Sequence, residues 1–309
     1  MQETLVDFGL GRAPAFLAAC HLLDRAAPSG LPILLLGETG TGKERAARAV
    51  HARSARRGAF VAVNCGALPD ALLESELFGH ARGAFTGAVG TRVGLVEEAA
   101  GGTLFLDEIG DATPAFQSRL LRLLAEGRFR RLGESRERIA DVRVVAATHR
   151  DLARDVVERR FREDLWYRLA AIEATLPPLR ARGGDGLVLA RAALARVAPG
   201  ARFDAAARRA LSRHAWPGNM RELESAVARA ALFVAGDGSV GVDALPPRVA
   251  TAGAGPLRPP SLAAECAALE LCRIQEALAA TGGTRAAAAR LLGMSRQGLW
   301  KKLKRASGP

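Results

Sequence analysis

Short apolar runs alternate with longer amphipathic segments in the first half of the chain. A short apolar run bounded by glycine or polar residues is typical of a strand buried on both faces, and apolar residues spaced three and four apart indicate a helix. These patterns predict strands over 32–36, 60–64, 103–106 and 142–147 and helices over 43–55 and 114–125. Strands that alternate with helices predict an α/β fold, in which a mostly parallel sheet lies between helices.

The strand pattern ends at Leu176-Pro177-Pro178, and only helical spacing follows it. Helices are predicted over 185–197, 204–214 and 219–234, and then over 262–280, 284–292 and 295–305. The segment between these two groups is rich in glycine, proline, alanine and serine, a composition that disfavours regular structure. We therefore predict four parts: an α/β domain over 1–178, a small all-α domain over 179–235, a flexible linker over 236–261 and a second all-α domain over 262–309.

The composition excludes several classes of protein. Of the 309 residues, 49% are apolar and 25% are charged, which allows a sizeable core and argues against wholesale disorder. The cysteines form no C-x-x-C pair and the histidines show no metal-ligand spacing, so we expect neither a zinc site nor a disulfide framework. The N-terminal end has no basic segment before an apolar stretch, and no apolar run is long enough to span a membrane. We expect a soluble, reduced, cytoplasmic protein.

Positive charge is concentrated at the C-terminal end. The chain has 44 lysine and arginine residues against 32 acidic ones, a net charge of +12, which favours a polyanionic partner such as nucleic acid, nucleotide phosphates or an anionic membrane surface. Residues 281–309 carry seven basic residues and no acidic one. Arginine replaces lysine almost everywhere, and Lys43 is the only lysine in the first 300 residues.

A glycine-rich segment after the first predicted strand fits the phosphate-binding pattern G-x-x-x-x-G-K. Its backbone N–H groups and the N-terminus of the following helix can face phosphate oxygens, and Lys43 adds positive charge for the β- and γ-phosphates. A glycine-rich turn with an incidental lysine is the alternative, which the strand–loop–helix context disfavours. The residues assigned to the nucleotide are Gly37, Glu38, Thr39, Gly40, Thr41, Gly42, Lys43 and Glu44. Glu44 departs from the general pattern, where a serine or threonine ligates magnesium.

Two carboxylates, Asp107 and Glu108, end the third predicted strand. We expect Asp107 to hold Mg²⁺ through water and Glu108 to polarise a water for in-line attack on the γ-phosphate of ATP. Asn64 and Thr148, each at the end of another strand, are candidates to orient Glu108 and the γ-phosphate. Taken singly, each of these would be an ordinary polar residue at the end of a strand. Together with the phosphate loop they predict ATP as the substrate and Mg²⁺ as the cofactor.

A glycine-flanked hexapeptide follows residues 76–80: Gly83, Ala84, Phe85, Thr86, Gly87 and Ala88. Alone, it would be a core phenylalanine in a tight turn. With the segments at 101–111, 147–152, 161–169, 176–180 and 216–223, however, its order and spacing resemble one family over about residues 8–235, the AAA+ activators of sigma-54 RNA polymerase. In that family the GAFTGA loop contacts sigma-54 and moves with the nucleotide state, and a glutamate follows the loop lysine, as Glu44 does here.

The resemblance also implies roles for three arginines. Arg162 and Arg168 match the family's arginine fingers, which reach the γ-phosphate bound by a neighbouring subunit, and Arg221 matches the second sensor, which reports the nucleotide to the helical lid. A planar, permanently charged guanidinium suits the stabilisation of a transferring phosphoryl group. In so arginine-rich a chain, position alone would indicate only a solvated helix face. Fingers that act between subunits require a ring, and the family implies a homo-oligomer, a hexamer.

The basic C-terminal end has the pattern of a helix-turn-helix: Thr284 can cap one helix, Gly293 lies at a turn and Ser295 can cap the basic last helix. The alternative is a charged, solubilising helix. This end resembles the Fis-type domain of many such activators, apart from Gly298, where a threonine is usual. The candidate contacts to double-stranded DNA are Arg285, Ser295, Arg296, Gln297, Lys301, Lys302, Lys304 and Arg305. Residues in the first turn of the last helix would meet bases, and the later basic residues would meet phosphates.

These features predict an activator that binds upstream DNA and uses ATP hydrolysis to convert closed sigma-54 polymerase complexes into open ones. Two alternatives stay open: an AAA+ motor acting on DNA or protein clients, which has no use for the GAFTGA loop, and a nucleotide-sensing DNA-binding repressor, which Glu108, Arg162 and Arg168 disfavour. About ten residues precede the ATPase, where relatives commonly carry a sensory domain. We therefore expect control by a separate regulatory protein or by abundance, unless the chain is part of a longer protein.

Overall fold

A computed structural model describes residues 11–85, 88–253, 273–274, 277–278, 281, 284–295, 297–299 and 302. The chain forms two compact units, residues 1–253 and 254–309. The helices and strands of the first unit are, in chain order, α1 (Pro14–Ala26), β1 (Ile33–Leu36), α2 (Lys43–Ala52), β2 (Phe60–Asn64), α3 (Asp70–Phe78), α4 (Leu95–Glu98), β3 (Thr103–Asp107), α5 (Pro114–Glu126), β4 (Arg128–Phe129), β5 (Arg138–Ile139), β6 (Arg143–Thr148), α6 (Leu152–Val157), α7 (Glu163–Leu169), β7 (Ile172–Thr175), α8 (Asp185–Val197), β8 (Arg202–Phe203), α9 (Ala205–Arg213), α10 (Asn219–Ala231), β9 (Ser239–Val240) and α11 (Pro247–Ala250).

Five of the strands form a parallel sheet in the order β2-β3-β6-β1-β7, which confirms the predicted α/β fold. In the register of the sheet, Leu36 lies opposite Thr148, and Asn64 lies opposite Asp107. Because the strands are parallel, their carboxyl ends meet at one edge of the sheet, where ligands of α/β proteins usually bind. The register therefore brings the candidate site residues of three strands to the edge where the phosphate loop begins.

Successive residues of the strands pack on opposite faces of the sheet, as the two-residue period of a strand requires. On one face, Leu34, Leu104 and Leu106 join a core with α3, α5 and α7. On the other, Leu35 and Phe105 join a core with α1 and α2. Covering both faces with helices removes the strands from water, which explains their almost continuous apolar sequences.

The predicted strands at β1, β2, β3 and β6 are all present. Several other elements of the α/β domain carried no prediction, and two of these complete the sheet and its cover. The first is α1, which closes one face of the sheet. The second is β7, an edge strand of sequence Ile-Glu-Ala-Thr in which only Ala174 is fully buried. The predicted helices over 43–55 and 219–234 end earlier than expected, at Ala52 and Ala231.

The helical domain continues beyond residue 235, which corrects the flexible linker predicted to begin at 236. β9 pairs with β8 in parallel, and Val240, Leu245 and Val249 are buried in the core that α8, α9 and α10 share. The proline pair that suggested a linker instead starts a helix, with Pro246 as N-cap and Pro247 in the first turn, where a proline needs no N–H partner. Residues 254–261 of the predicted linker lie outside the described residues.

In the second unit, α12 (Arg285–Leu291) starts after Thr284 and is followed by a turn at Gly293, whose φ is 65°. Residues 297–299 and 302 are helical, and the Ser295 hydroxyl accepts a hydrogen bond from the Gly298 N–H at 3.1 Å, as expected of an N-cap. A small apolar core holds this unit together, formed by Ile274, Ala277, Ala288, Ala289 and Leu299. The predicted helix-turn-helix pattern is therefore present.

No helix in the part of the chain that the structure describes is both long enough and apolar enough to cross a membrane.

Candidate nucleotide site and partner loop

The predicted phosphate loop connects β1 to the N-terminus of α2. Gly37, Gly40 and Gly42 have φ values of 150°, 81° and 101°, a backbone region that favours glycine. The Lys43 side chain, only 6% exposed, folds back over the loop, and its Nζ donates to the carbonyl oxygens of Gly37 at 2.8 Å and Glu38 at 3.3 Å. The loop thus places a cation and the start of a helix beside one pocket, an arrangement that suits phosphate.

Asp107 and Glu108 lie at the adjoining strand end and line the same pocket as Lys43. The Lys43 Nζ is 3.8 Å from the Glu108 Oε1. Burial lowers the pKa of Lys43, although both carboxylates oppose that shift. Burial, together with the charge of Glu108, raises the pKa of Asp107. The pocket therefore disfavours the charged forms of both Lys43 and Asp107.

A divalent cation fits this pocket. Mg²⁺ prefers oxygen ligands and is commonly held by one or two carboxylates together with substrate phosphates. Asp107 is partly buried, and burial raises its pKa. A nearby cation would offset this effect by favouring the charged carboxylate. Glu44, the residue after the loop lysine, lies at the rim of the pocket, where it is half exposed and pairs with Arg48 at 2.6 Å.

Besides Lys43, the Glu108 carboxylate contacts His149, which the sequence did not single out. The Glu108 Oε2 lies 2.7 Å from the His149 Nδ1 and accepts a weaker bond from the His149 backbone N–H at 3.3 Å. Asn64 instead accepts from the Gly66 N–H, and Thr148 accepts from the Arg150 N–H. Within the described residues, therefore, neither predicted partner hydrogen-bonds Glu108. The available signal was the position of His149, directly after Thr148 at the end of β6.

Glu108 itself has a φ of 52°, in the left-handed region that residues other than glycine rarely adopt. Such a backbone persists only where its surroundings impose it, and it is common at functional sites. The contacts with Lys43 and His149 are consistent with a carboxylate held in one defined position.

A second pocket, which is mostly apolar, adjoins the phosphate loop and was not predicted from the sequence. It is assembled from segments far apart in the chain: α1, the loop, the first turn of α2, the residue after β7, the start of the helical domain and the start of α10. The residues that line it are Phe16, Cys20, Leu23, Thr41, Gly42, Arg45, Ala46, Leu176, Arg182 and Met220. A pocket of this kind, adjacent to a phosphate site, suits the base of a nucleotide.

The start of α10 docks directly on the phosphate loop. The Met220 N–H donates to the Gly40 carbonyl at 2.9 Å, and the Asn219 amide donates to the Thr39 carbonyl at 3.0 Å. Arg180 pairs with Glu38, and this hydrogen bonding lowers the pKa of Glu38 to about 2. Arg221, one residue after Met220, lines the phosphate pocket, where the second sensor is expected.

The two predicted finger arginines lie on the surface, away from the pocket of their own chain. Arg162 is the N-cap residue of α7 and pairs with Asp164 at 2.8 Å, and Arg168 is exposed in the last turn of the same helix. Neither is among the residues that line the described phosphate pocket. Their exposure is what a contact with a neighbouring subunit needs.

The partner loop, residues 83–88, begins and ends close together, because the Gly83 N–H donates to the Ala88 carbonyl at 2.9 Å. Phe85 is 41% exposed and makes an edge contact with the His80 ring, so it is not a core residue in a turn. Thr86 and Gly87 lie outside the described residues. The base of the loop is tied to the segment before β5, since Leu132 exchanges backbone hydrogen bonds with Gly79 and Ala81.

The structure describes four of the eight predicted DNA contacts. Arg285 and Gln297 are exposed, Ser295 is the cap described above, and Lys302 is helical and partly buried. Arg296, Lys301, Lys304 and Arg305 lie outside the described residues.

Three family models match consecutive parts of the chain: a sigma-54 interaction domain over residues 10–175, an AAA+ ATPase lid domain over 180–258 and a bacterial regulatory protein domain of the Fis family over 266–305. The lid match extends well past residue 235, in agreement with the packing of β9 and α11.

Among curated relatives, the hydrogenase transcriptional regulatory protein HoxA of Cupriavidus necator is 45% identical over 307 residues, covering 93% of this chain and 63% of that protein. The transcriptional regulatory protein ZraR of Klebsiella oxytoca is 45% identical over 312 residues, covering 97% of this chain and 69% of that protein. A solved structure of NtrX from Brucella abortus in complex with ATP matches with a TM-score of 0.70 and 32% identity, over 96% of this chain and 68% of that chain.

The chain thus spans only 63% of the length of HoxA and 69% of that of ZraR. The sigma-54 interaction domain alone covers more than half of the chain, and two of these three likenesses extend over at least two thirds of the matched protein. This chain belongs to the AAA+ activators of sigma-54 RNA polymerase that end in a Fis-type DNA-binding domain.

Proposed function

We propose that this chain is an ATP-dependent transcriptional activator. It binds upstream double-stranded DNA through its C-terminal domain and, as a hexameric ring, uses ATP hydrolysis to remodel closed sigma-54 polymerase complexes into open ones. The observation that carries the proposal is the exposed Phe85 on a glycine-flanked loop, in the same compact unit as a phosphate pocket with a lysine and two carboxylates. A repressor that only senses nucleotide needs no Glu108, and a motor with other clients needs no such loop.

In this proposal the N–H groups of the phosphate loop and the Lys43 ammonium hold the phosphates of ATP. Asp107 would hold Mg²⁺ through water, and the ion would neutralise charge on the phosphate oxygens. Glu108 orients a water molecule for in-line attack on the γ-phosphorus and takes up a proton as the bond to ADP breaks, which releases inorganic phosphate. His149 keeps the Glu108 carboxylate in place.

Lys43 has two sets of partners in this scheme. Its Nζ bonds to loop carbonyls and lies near Glu108. Phosphate oxygens carry more negative charge than carbonyl oxygens and compete for the same donors. Nucleotide binding therefore draws Lys43 toward the phosphates and leaves Glu108 with His149 as its main partner.

The remaining positive charge at the γ-phosphate comes from a second subunit, through Arg162 and Arg168. Both are exposed, and a permanently charged fork suits the charge that develops on the transferring group. A head-to-tail contact of this kind closes into a ring when its rotation divides a full turn. We also propose that a separate regulatory protein controls the ring.

Reconstituted open-complex formation tests the proposal. Wild-type chain, Phe85→Ala and Glu108→Gln are each combined with sigma-54 polymerase, ATP and a promoter whose melted bases are read by fluorescence. We expect Glu108→Gln to bind ATP without hydrolysing it, and Phe85→Ala to hydrolyse ATP without opening the promoter. Val93→Ala, a change at another exposed apolar residue, serves as the control and should act like the wild type. Equal opening by Phe85→Ala, or opening without ATP, would contradict the proposal.

A further inference from the structure

A buried amide in α5 bonds to two separate segments of the chain. Gln117 is only 1% exposed, and its side chain offers two N–H donors and one carbonyl oxygen. The Nε2 donates to the Ala112 carbonyl at 2.8 Å and to the Arg160 carbonyl at 2.9 Å, and the Oε1 accepts from the Arg162 N–H at 2.9 Å. Both donors and the acceptor of the amide are therefore used, and all of their partners are backbone groups.

Both segments adjoin residues on which the proposed function depends. Glu108 and Ala112 flank one short helical turn, so the first Gln117 bond fixes the end of the turn that starts at the general base. Arg162 is the N-cap residue of α7, the helix that also carries Arg168. One side chain thus joins the turn after the base to the helix that carries both finger arginines.

The backbone just before α7 is held from several sides. Gln117 bonds to the residues before and after Phe161, which is buried in the core that α5 and α7 share. The N–H groups of Arg160 and Phe161 both donate to the Asp155 carbonyl, at 2.8 and 3.1 Å. The Arg162 side chain, in contrast, is 47% exposed. An exposed head group on a fixed backbone is preorganised for contact with a neighbouring molecule.

We propose that Gln117 is a positioning residue for the finger arginines: its buried amide fixes the start of α7, and with it the reach of Arg162 toward the nucleotide of the neighbouring subunit. This inference rests on the proposed function and adds to it the residue that sets the geometry of the finger. A buried amide that only stabilised the core would impair its whole subunit. A positioning residue impairs the site to which its finger reaches, and mixed oligomers separate the two roles.

Steady-state ATPase assays on the full chain test this with Gln117→Met, which keeps the length of the side chain and removes its hydrogen bonds. The Arg160 carbonyl and the Arg162 N–H lose a buried partner, so the start of α7 shifts. We expect kcat to fall on the order of tenfold or more, with little change in the KM for ATP. Thr103→Val removes another buried side-chain hydrogen bond, to His51 at 2.9 Å, and as the control should keep the wild-type kcat.

Equal mixtures of two variants locate the defect. When Gln117→Met is mixed with Glu108→Gln, a site with the base of the first and the fingers of the second is complete. Random assembly gives such sites about a quarter of the time, so turnover should rise toward a quarter of the wild-type value. When Gln117→Met is mixed with Arg162→Ala/Arg168→Ala, no site has well-placed fingers. Turnover should then stay at the mean of the two variants measured separately.

Recovery with the arginine double variant instead would show that Gln117 serves the base of its own subunit and would overturn the inference. An unchanged kcat for Gln117→Met, or recovery with neither partner, would also overturn it. The mixture of Glu108→Gln with the arginine double variant is the reference. Failure of the reference to recover would overturn the proposed fingers and this inference together, whereas recovery of the reference alone overturns only the inference.

Folding of the variant is checked by circular dichroism. If Gln117→Met does not fold, Gln117→Glu takes its place, because it keeps the acceptor for the Arg162 N–H but turns a carboxylate toward the carbonyls of Ala112 and Arg160. We expect it to recover in the same mixture and to fail in the other. If neither variant folds, the amide serves stability and the inference fails.

Discussion

At the scale of single residues, the best-defined feature of the site is the carboxylate of Glu108. Its backbone is in the left-handed region, its Oε2 faces His149 and its Oε1 faces Lys43. Once phosphate engages Lys43, the histidine is the side chain left to orient the carboxylate. Small displacements of a general base reduce the rate more than they reduce substrate binding, since the base acts on the attacking water.

Replacing this histidine tests that reasoning. We expect His149→Ala to lower the kcat of ATP hydrolysis on the order of tenfold, with little change in KM. The fall in kcat is limited because the backbone N–H of residue 149 still contacts Glu108. His149→Asn keeps a side-chain donor and should recover most of the rate. Steady-state ATPase assays measure both values, with His21→Ala, at an exposed histidine of α1, as the control. A raised KM with unchanged kcat would show that His149 serves nucleotide binding instead.

Sequence patterns located the phosphate loop and the two carboxylates but not their partners. The loop and the strand that ends at Asp107 are contiguous segments, so spacing alone identifies them. The contact to Glu108 depends on which side chain at the end of β6 turns toward β3, and spacing does not distinguish Thr148 from His149. The second, mostly apolar pocket brings together segments up to about 200 residues apart, from Phe16 to Met220, and no local pattern encodes it.

At the scale of elements, the buried residue Asn219 is one of the contacts that join the helical domain to the phosphate loop. Its amide donates to the Thr39 carbonyl, and its Oδ1 accepts from the Leu179 N–H at 2.7 Å. Its φ of 50° is a conformation that asparagine tolerates better than most residues. One side chain therefore links the loop, the entry to the helical domain and the start of α10.

We expect Asn219→Ala to lower the free energy of unfolding by about 2–4 kcal/mol, because it leaves buried backbone groups unpaired and strains the backbone. Urea titration followed by circular dichroism measures the change in midpoint. Ser225→Ala, which removes an exposed hydroxyl bonded within the same helix, should change the free energy by less than about 0.5 kcal/mol. Equal midpoints for the two variants would show that the joint contributes no stability.

The boundary of the helical domain shows how composition misled the prediction. Proline and glycine between residues 236 and 253 indicate a linker when read as composition, yet Pro246 and Pro247 occupy helix-start positions that favour proline. The apolar residues Val240, Leu245 and Val249 are too few and too unevenly spaced to give a periodic signal. Only the packing against α8, α9 and α10 reveals that the segment is folded.

The partner loop rests on a neighbouring loop through a close contact at Gly133. A Cβ atom at that position would lie 2.7 Å from the Ala84 Cβ, and the φ of Gly133 is 72°. We expect Gly133→Ala to displace the partner loop and to abolish promoter opening while ATP hydrolysis continues.

Gly200→Ala is the matched control for this change. Gly200 also has a positive φ, of 86°, but no atom lies within 4 Å of a Cβ there. The two variants therefore share the backbone strain and differ in the contact. If Gly200→Ala also lost opening, or if Gly133→Ala kept it, the contact with Ala84 would not matter for the loop. Fluorescence of melted promoter bases and parallel ATPase assays give the two measurements.

At the scale of the whole molecule, the net charge of +12 is unevenly distributed along the chain. The first 280 residues are nearly balanced, and the proposed function assigns Lys43, Arg162, Arg168 and Arg221 to nucleotide phosphates. The last 29 residues carry seven basic groups and no acidic one. Binding of DNA through phosphate contacts releases counterions, so the affinity falls with salt in proportion to the number of contacts.

We therefore expect Lys304→Ala to weaken DNA binding about equally for all sequences and to reduce the slope of log K against log salt by about 1. Gln297→Ala, in contrast, should relax sequence preference and leave the slope unchanged, because a neutral side chain releases no counterion. Fluorescence anisotropy across a salt series measures both effects, with Arg191→Ala as the control. A Lys304→Ala slope equal to the wild-type slope would remove that residue from the phosphate contacts.

The proposed ring yields the most demanding prediction, because each active site would draw on two subunits. Glu108→Gln lacks the base, and the double variant Arg162→Ala/Arg168→Ala lacks the fingers, so each alone should be nearly inactive as an ATPase. In an equal mixture, a site with Glu108 from one subunit and both arginines from the neighbouring Glu108→Gln subunit is complete. Random assembly gives such sites about a quarter of the time, so we expect ATP turnover to recover toward a quarter of the wild-type value. If both arginines acted on the nucleotide of their own chain, no mixture would restore turnover, since each subunit would carry its own defect into its own site.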